Sequence, residues 1–417
     1  MVTKTHTLIL ADDLTGANDT AVQFRKCGFS VLVVTNMLQV DLAHFENYDI
    51  ISINTDSRRR SPNDAYRVIH DAVKAFEIAE NGFFLYKKVD SLLRGNPGQE
   101  LAAVMDAMNI PLALAAPAFP ANRSVLEHGQ LPSETDAVQI FADGSGRKTE
   151  NIPLATIRQG AHSVVAFIHS RNSRGTQVFV ADAVNDTDLE TVYVASTYLR
   201  KPHILTGSAG LASQLACNLA HNLGKMEDSK KENPTVLSPI SALIVAGSRQ
   251  AETAVQILTL SQSLSIPIIR FQVSLVMDGQ SDEAIKAAQT EAAELMRRNC
   301  PVCIIAVESM FHTENAGKIY TEGDETGKAI SKALGVLTEK LFDDYSFALL
   351  VSTGGDTSME ICKQLGISGM EPLKEIYPGI PLMRIVGSAY NERLIITKSG
   401  RFGEPDTLLK ILEYSNE

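Results

Sequence analysis

Leu8-Ile9-Leu10-Ala11-Asp12-Asp13-Leu14-Thr15-Gly16-Ala17 is an apolar run that stops at two acids, with Thr15 and Gly16 opening a helix. Four apolar residues in succession suit a parallel strand buried on both faces. Asp12 and Asp13 then fall at the carboxyl end of that strand, where open α/β sheets hold ligands. Two adjacent carboxylates repel each other, so a cation, hydroxyl donors or a shared proton must compensate them. The plain alternative is a helix cap, with Asp13 or Thr15 as the N-cap.

The same pattern recurs along the chain. Apolar runs at 31–34, 50–53, 83–86, 112–116, 178–181 and 204–205 read as strands. Between the second and third of these, Tyr66, Ile69, Val73 and Phe76 recur at helical spacing and give a face to pack on a sheet. Residues 224–240 are polar, charged and broken by two prolines, which predicts a linker between a first domain (1–223) and a second (241–417). Strand-like runs resume at 242–246, 268–271, 303–307, 348–351 and 394–396, with a long helix over 282–299. Alternating strands and helices predict an α/β protein of two domains, each a mostly parallel sheet flanked by helices. The stretch 133–175, rich in Gly, Ser, Asp and Thr, reads as either an irregular insertion or a lid.

Composition narrows the function. A chain of 417 residues with 44% hydrophobic and 21% charged residues is ordinary for a globular protein with an ample core. The net charge of -11, with no dense Lys/Arg block, argues against nucleic acid and anionic membranes as partners. An anionic substrate therefore needs a local cationic pocket. Residues 8–11 are too short for a leader and no segment approaches a membrane span, so the expected compartment is the cytoplasm. Composition sets no oligomeric state. Cys300 and Cys303 have CxxC spacing, but Cys303 begins an apolar run and no second pair completes a zinc site, so a structural role is expected.

Polar clusters follow the strands of the first half. Thr55-Asp56-Ser57-Arg58-Arg59-Arg60 follows the run 50–53. An Arg there can fork onto a carboxylate or phosphate, although a solvated basic turn has the same composition. Lys87-Lys88-Val89-Asp90-Ser91-Leu92-Leu93-Arg94-Gly95 follows the run 83–86. Such a cluster can bind a small polyhydroxylated anion, cations taking the carboxylate while Asp and Ser take hydroxyls. The loop from Pro117 to Arg123 reads equally well as a binding loop or a rigid structural one. Thr206-Gly207-Ser208-Ala209-Gly210, ahead of a helix, offers either backbone N–H groups to an anion or tight strand–helix packing.

Three loops of the second half look built for phosphates: Gly247-Ser248-Arg249, Ser352-Thr353-Gly354-Gly355-Asp356-Thr357 and Thr397-Lys398-Ser399-Gly400-Arg401-Phe402-Gly403. Each follows a strand, and glycine lets backbone N–H groups close on an anion. Asp356 can position magnesium or take a proton from a hydroxyl. Other signatures fail. The segment from Gly323 to Lys328 is one residue short of a Walker A loop, and Ala329 replaces its Ser/Thr. No GxGxxG follows a strand, and no GxSxG, HExxH or protein-kinase set is present.

Taken in order, the motifs Asp12-Asp13-Leu14-Thr15-Gly16-Ala17, Lys87 to Gly95, Gly354-Gly355-Asp356-Thr357 and Lys398 to Gly403 resemble those of the four-carbon acid sugar kinase family, over nearly the whole chain. The resemblance implies an N-terminal α/β domain for a four-carbon sugar acid and a C-terminal α/β domain for ATP, with the active site in the interdomain cleft. It implies transfer of the γ-phosphoryl group to the terminal hydroxyl of D-threonate, D-erythronate or a 3-oxo-tetronate, D-threonate being preferred here. It implies Asp12, Arg58, Lys87, Lys88, Val89 and Asp90 as substrate residues and Ser248, Gly354, Gly355, Asp356 and Gly400 as ATP residues. ATP with Mg²⁺ is the expected cofactor, its metal ligands unassigned.

On this basis Arg58 and Lys88 are expected at the substrate carboxylate and Asp12 and Asp90 at its hydroxyls, with the base open among Asp12, Asp90 and Asp356. Domain closure should exclude water. Two readings of other classes compete. A haloacid-dehalogenase-type phosphatase needs a second Asp two positions after its nucleophile, and Leu14 and Thr15 stand there instead. A non-catalytic sensor of sugar acid and nucleotide would carry the same loops.

Overall fold

Strand β1 (Thr7–Ala11) is buried along its whole length, as a continuous apolar run requires in a parallel sheet covered on both faces. The computed structural model describes residues 6–37, 44–76, 83–225, 241–311 and 325–414. The chain divides into two compact units, Met1–Asp228 and Ser229–Glu417. Most of the expected linker, residues 226–240, lies outside the described residues.

The first unit holds β1, β2 (Val31–Val34), β3 (Ile50–Asn54), β4 (Phe84–Lys88), β5 (Leu112–Ala116), β6 (Thr149–Ile152), β7 (Val178–Ala181) and β8 (His203–Gly207). They lie in the order β2-β3-β1-β4-β8-β5-β7-β6, every pairing parallel. From β1 the chain runs outward to β2 and returns through β3, then crosses to β4 on the other side. The strand order thus reverses between β1 and β4, where ligand crevices form in such sheets. Register sets the height of the site: Ala11 lies level with Asn54 of β3 and Lys88 of β4.

Local signals explain the flanking helices. Asp13 caps the helix Leu14–Lys26, and Arg25 and Lys26 in its last turn complement the dipole. Ser61 caps Pro62–Ala75, which starts on proline and buries Ala65, Ile69, Ala72 and Val73. Tyr66, placed on that face by periodicity, is half-buried and donates to Asp106.

Two expectations change here. Strand β4 extends to Lys88 rather than stopping at Tyr86, because both lysines find polar partners while buried. Residues 133–175 are regular rather than an irregular insertion: helices Ala137–Ser145, Leu154–Ile157 and Ala161–Asn172 surround the edge strand β6. The last of these helices buries only Val164 and Ile168, so its apolar stripe is too thin to announce it.

The second unit holds β9 (Ala242–Ala246), β10 (Ile268–Phe271), β11 (Val302–Val307), β12 (Leu349–Thr353), β13 (Gly369–Tyr377), β14 (Ile380–Val386) and β15 (Leu394–Lys398), in the order β10-β11-β9-β12-β15-β14-β13. The first five strands in that order are parallel, and β14 joins β15 and β13 antiparallel. The β13–β14 hairpin is absent from the sequence reading, although Pro378 and Gly379 (φ +76°) mark its turn. Thr353 is level with both Ala246 and Lys398, so the loops after β9, β12 and β15 leave at one height. Cys303 is buried in β11 and its thiol is pushed up to about 12 by burial and by Cys300. Among the described residues no group of three His, Cys, Asp or Glu is arranged to hold a metal.

Candidate functional site

At the switch point of the first unit, Arg58 sits among three carboxylates. Its Nε donates to Asp12 Oδ2 at 2.6 Å and its Nη2 to Asp12 Oδ1 at 3.0 Å. Its Nη1 donates to Asp13 Oδ2, and Nη2 lies 3.7 Å from Asp90 Oδ1. Backbone bonds hold the loop in place, since the N–H groups of Ser57 and Arg58 donate to Asp12 O at 3.1 and 3.2 Å. Asp90 accepts a second fork, from Arg94 Nε at 2.8 Å and Nη2 at 2.7 Å.

The charges follow from this packing. Burial by itself pushes the Asp12 carboxyl up, but the charge and hydrogen bond of Arg58, with Lys87 and Lys88 behind, hold it below the usual range. Burial likewise opposes the Asp90 charge, and Arg94, Arg58 and Lys88 drive its pKa down regardless. Arg58 is raised despite its own burial, by Asp12, Asp13 and Asp90. All three groups are therefore ionised at neutral pH. Asp13 does what the plain reading asked, accepting from Gly16 N at 2.8 Å, and it also accepts from Thr15 Oγ1 at 2.7 Å.

Lys87 and Lys88 face opposite sides of β4. Lys87 is fully buried, its Nζ 2.7 Å from Glu100 Oε2 and 2.6 Å from Lys88 O. Lys88 points to the other face, where a Cβ on Gly16 would lie 3.0 Å from its Nζ. The Lys88 ammonium donates to Val89 O at 2.8 Å, and among the described residues no carboxylate lies within ion-pair distance of it. Val89 is buried, with its N–H bonded to Gly207 O.

The two loops left open by sequence resolve toward structure. A Cβ on Gly207 would lie 2.5 Å from Ala116 O, and one on Gly210 would lie 2.7 Å from Ala118 O, so both glycines serve close packing. Ser208 caps its own helix. The loop from Pro117 closes through mutual backbone bonds between Phe119 and Ser124, and Ser124 Oγ donates to Ser91 O at 2.8 Å.

In the second unit the three glycine loops converge. A Cβ on Gly354 (φ +98°) would lie 3.3 Å from Ser248 N, and one on Gly400 would lie 2.1 Å from Ser248 Oγ. Gly354 precedes the helix Gly355–Gln364 and has no side chain to cap it, a place that suits an anion. Asp356 stands half-buried in the first turn. Ser248, Gly354, Gly355 and Gly400 are thus brought together as a backbone-lined cradle. This chemistry fits phosphate, with oxygen groups rather than soft ligands for any hard cation that accompanies it.

Sequence reasoning gave no individual role to several residues that build these sites. Lys398 is buried under the third loop, its Nζ donating to Ser399 O at 2.9 Å and Phe402 O at 2.9 Å. Burial pulls its ammonium down to about 7, against the opposing charge of Glu252. Glu100 and Asn96 hold the loop of Arg58. Their signal in sequence was ordinary, a cap-type residue and an acid in a first helical turn.

Known proteins match both units. The sugar-binding N-terminal domain family matches residues 7–215 and the nucleotide-binding C-terminal domain family matches residues 243–408. The chain is 27% identical to a D-erythronate kinase of Heliobacterium modesticaldum, over 98% of this chain and 96% of that one. It is also 27% identical to a D-threonate kinase of Salmonella typhimurium, over 98% of each. A solved structure from Salmonella typhimurium LT2 shares the fold, with a TM-score of 0.75 at 21% identity over 98% of each chain.

Proposed function

The chain belongs to the four-carbon acid sugar kinase family and is a phosphotransferase; from that premise we propose that it phosphorylates the terminal hydroxyl of D-threonate with ATP, giving 4-phospho-D-threonate. The observation that carries this is the cluster of buried Asp12, Lys88 and Asp90 around half-buried Arg58 at the switch point. It offers cations for a carboxylate and ionised acceptors for hydroxyls on a few adjacent residues. The phosphatase and sensor readings fall with the kinase family. D-erythronate and a 3-oxo-tetronate are the alternative substrates.

The roles follow from charge. Lys88, a buried cation with no carboxylate within ion-pair distance among the described residues, receives the substrate carboxylate together with Arg58. Asp12 and Asp90 are fixed as carboxylates by the forks of Arg58 and Arg94, so they act as acceptors that orient the sugar hydroxyls. Asp356 is then the base we favour. Ser248, Gly354, Gly355 and Gly400 cradle the ATP phosphates through backbone N–H groups and the Ser248 hydroxyl. Mg²⁺, when bound with ATP, neutralises charge on the transferring group. Phosphoryl transfer asks mainly for positioning, which such rigid loop ends supply. The cytoplasm is the compartment we assign.

Purified protein with Mg·ATP and a panel of D-threonate, D-erythronate and a 3-oxo-tetronate tests this directly. The expected result is acid-dependent ADP release, with the highest kcat/KM for D-threonate and a product phosphorylated at C4. ATP hydrolysis indifferent to every acid rejects the proposal, and a higher kcat/KM for another acid moves the substrate assignment.

A further inference from the structure

We propose that Asn96 and Glu100, one turn apart at the start of the helix Pro97–Ala107, are positioning residues that clamp loop 55–60 and so set Arg58 against Asp12. This rests on reading the first unit as the acid-binding site. It also gives Lys87 a supporting role in place of substrate contact.

Three observations meet on this loop. Asn96 occupies the N-cap position, yet its side chain makes no capping bond. Its Nδ2 donates instead to the carbonyls of Ser57 at 3.2 Å, Arg58 at 3.4 Å and Arg60 at 3.1 Å. Gly95, at φ +89°, lets the backbones touch: a Cβ there would lie 2.9 Å from Arg58 Cγ and 3.1 Å from Arg58 O. Glu100 accepts from Ser57 Oγ at 2.6 Å with Oε1, and its Oε2 meets Lys87 Nζ at 2.7 Å.

Asp12 holds the same loop from its other side, accepting the N–H groups of Ser57 and Arg58 through its main-chain carbonyl. The loop is therefore pinned between the end of β1 and the helix, and Arg58 has little freedom in where it presents its fork. Burial raises the Glu100 pKa, while Lys87 and Ser57 act against it. A buried Lys–Glu pair contributes little net stability over an apolar pair, whereas removal of one partner strands a charge. We read the pair as a device for placing Ser57. The Lys87 ammonium gives one contact to Glu100 in this network and donates its other to the backbone carbonyl of Lys88.

The test uses the full chain with Asn96→Ala, Glu100→Gln and the double variant Lys87→Met/Glu100→Gln. Each single variant should raise KM for the acid about tenfold, the loss of one good interaction, while KM for ATP stays within about twofold. Adding Lys87→Met should recover much of the acid KM lost in Glu100→Gln, because no buried charge is left unpaired. A substrate-contacting Lys87 would make the double variant worse. Amide hydrogen exchange gives a readout independent of turnover: Ser57 and Arg58 should exchange faster in Asn96→Ala, with the second unit unchanged. An acid KM unchanged in the single variants, or a double variant worse than Glu100→Gln, overturns the proposal, as do unaltered exchange rates at Ser57 and Arg58. A wild-type chain that phosphorylates none of the acids defeats the functional reading instead, and the exchange result still decides the clamp.

Discussion

Lys87 and Lys88 are neighbours in the chain with opposite environments, because a strand sends successive side chains to opposite faces. One meets a carboxylate and the other a backbone carbonyl. Lys398 shows a third solution, a buried ammonium among loop carbonyls with its pKa pulled down to about 7. The ordinary value of 10.5 applies when the chain is unfolded. Between those values the unfolded chain binds more protons than the folded one, so stability rises with pH through that window. Below about 7 both states are protonated and folding bears the full cost of burying the charge. Urea unfolding at pH 7 and pH 9 should show wild type gaining stability relative to Lys398→Met, and identical pH responses would reject the assignment.

At the scale of elements, both candidate sites depend on closely packed glycines, Gly16 in the first turn of the helix Leu14–Lys26 and Gly400 in the loop after β15. A Cβ on Gly16 would lie 2.7 Å from Asp13 Oδ1 and 3.0 Å from Lys88 Nζ, so Gly16→Ala displaces the cap and the cation together. A Cβ on Gly400 would lie 2.1 Å from Ser248 Oγ and 2.7 Å from Gln250 Cγ, so Gly400→Ala fills the cradle. Steady-state kinetics should therefore split. Gly16→Ala should raise KM for the acid by about tenfold or more, and Gly400→Ala should do the same for ATP, each leaving the other substrate within about twofold. The crossed pattern would contradict the assignment of acid to the first unit and nucleotide to the second.

The same elements show how far sequence reading reaches. Buried parallel strands are legible because they are unbroken apolar runs, and Val31–Val34 and Ala242–Ala246 match them residue for residue. Polar strand ends are not legible. Asn54, Lys88, Thr353 and Lys398 continue their strands because their side chains find partners or space that only the folded chain supplies. The β13–β14 hairpin was missed because β13 carries Glu371, Lys374 and Glu375 in a half-buried strand, which dilutes its alternation. Asp12, Arg58 and Asp90 stood out as charges at strand ends. Glu100 did not, because an acid in a first helical turn is explained by the dipole alone.

On the scale of the whole molecule, a chain of net charge -11 can bind the two anions proposed for it only through local fields. Each unit carries its own, guanidinium and ammonium groups in the first and backbone N–H groups in the second. The two ligands should therefore stabilise the protein through different residues. A ligand that binds only the folded state at about 100 times its Kd adds about 2.7 kcal/mol, which is a readable shift in thermal unfolding. D-threonate alone should shift wild type, and the shift should vanish in Arg58→Ala. Mg·ATP should still shift Arg58→Ala, whereas Gly400→Ala should keep the acid shift and lose the nucleotide one. If Arg58→Ala abolished both shifts while remaining folded, the fork of Arg58 would be supporting more than the acid, and the division of labour between the units would have to be abandoned.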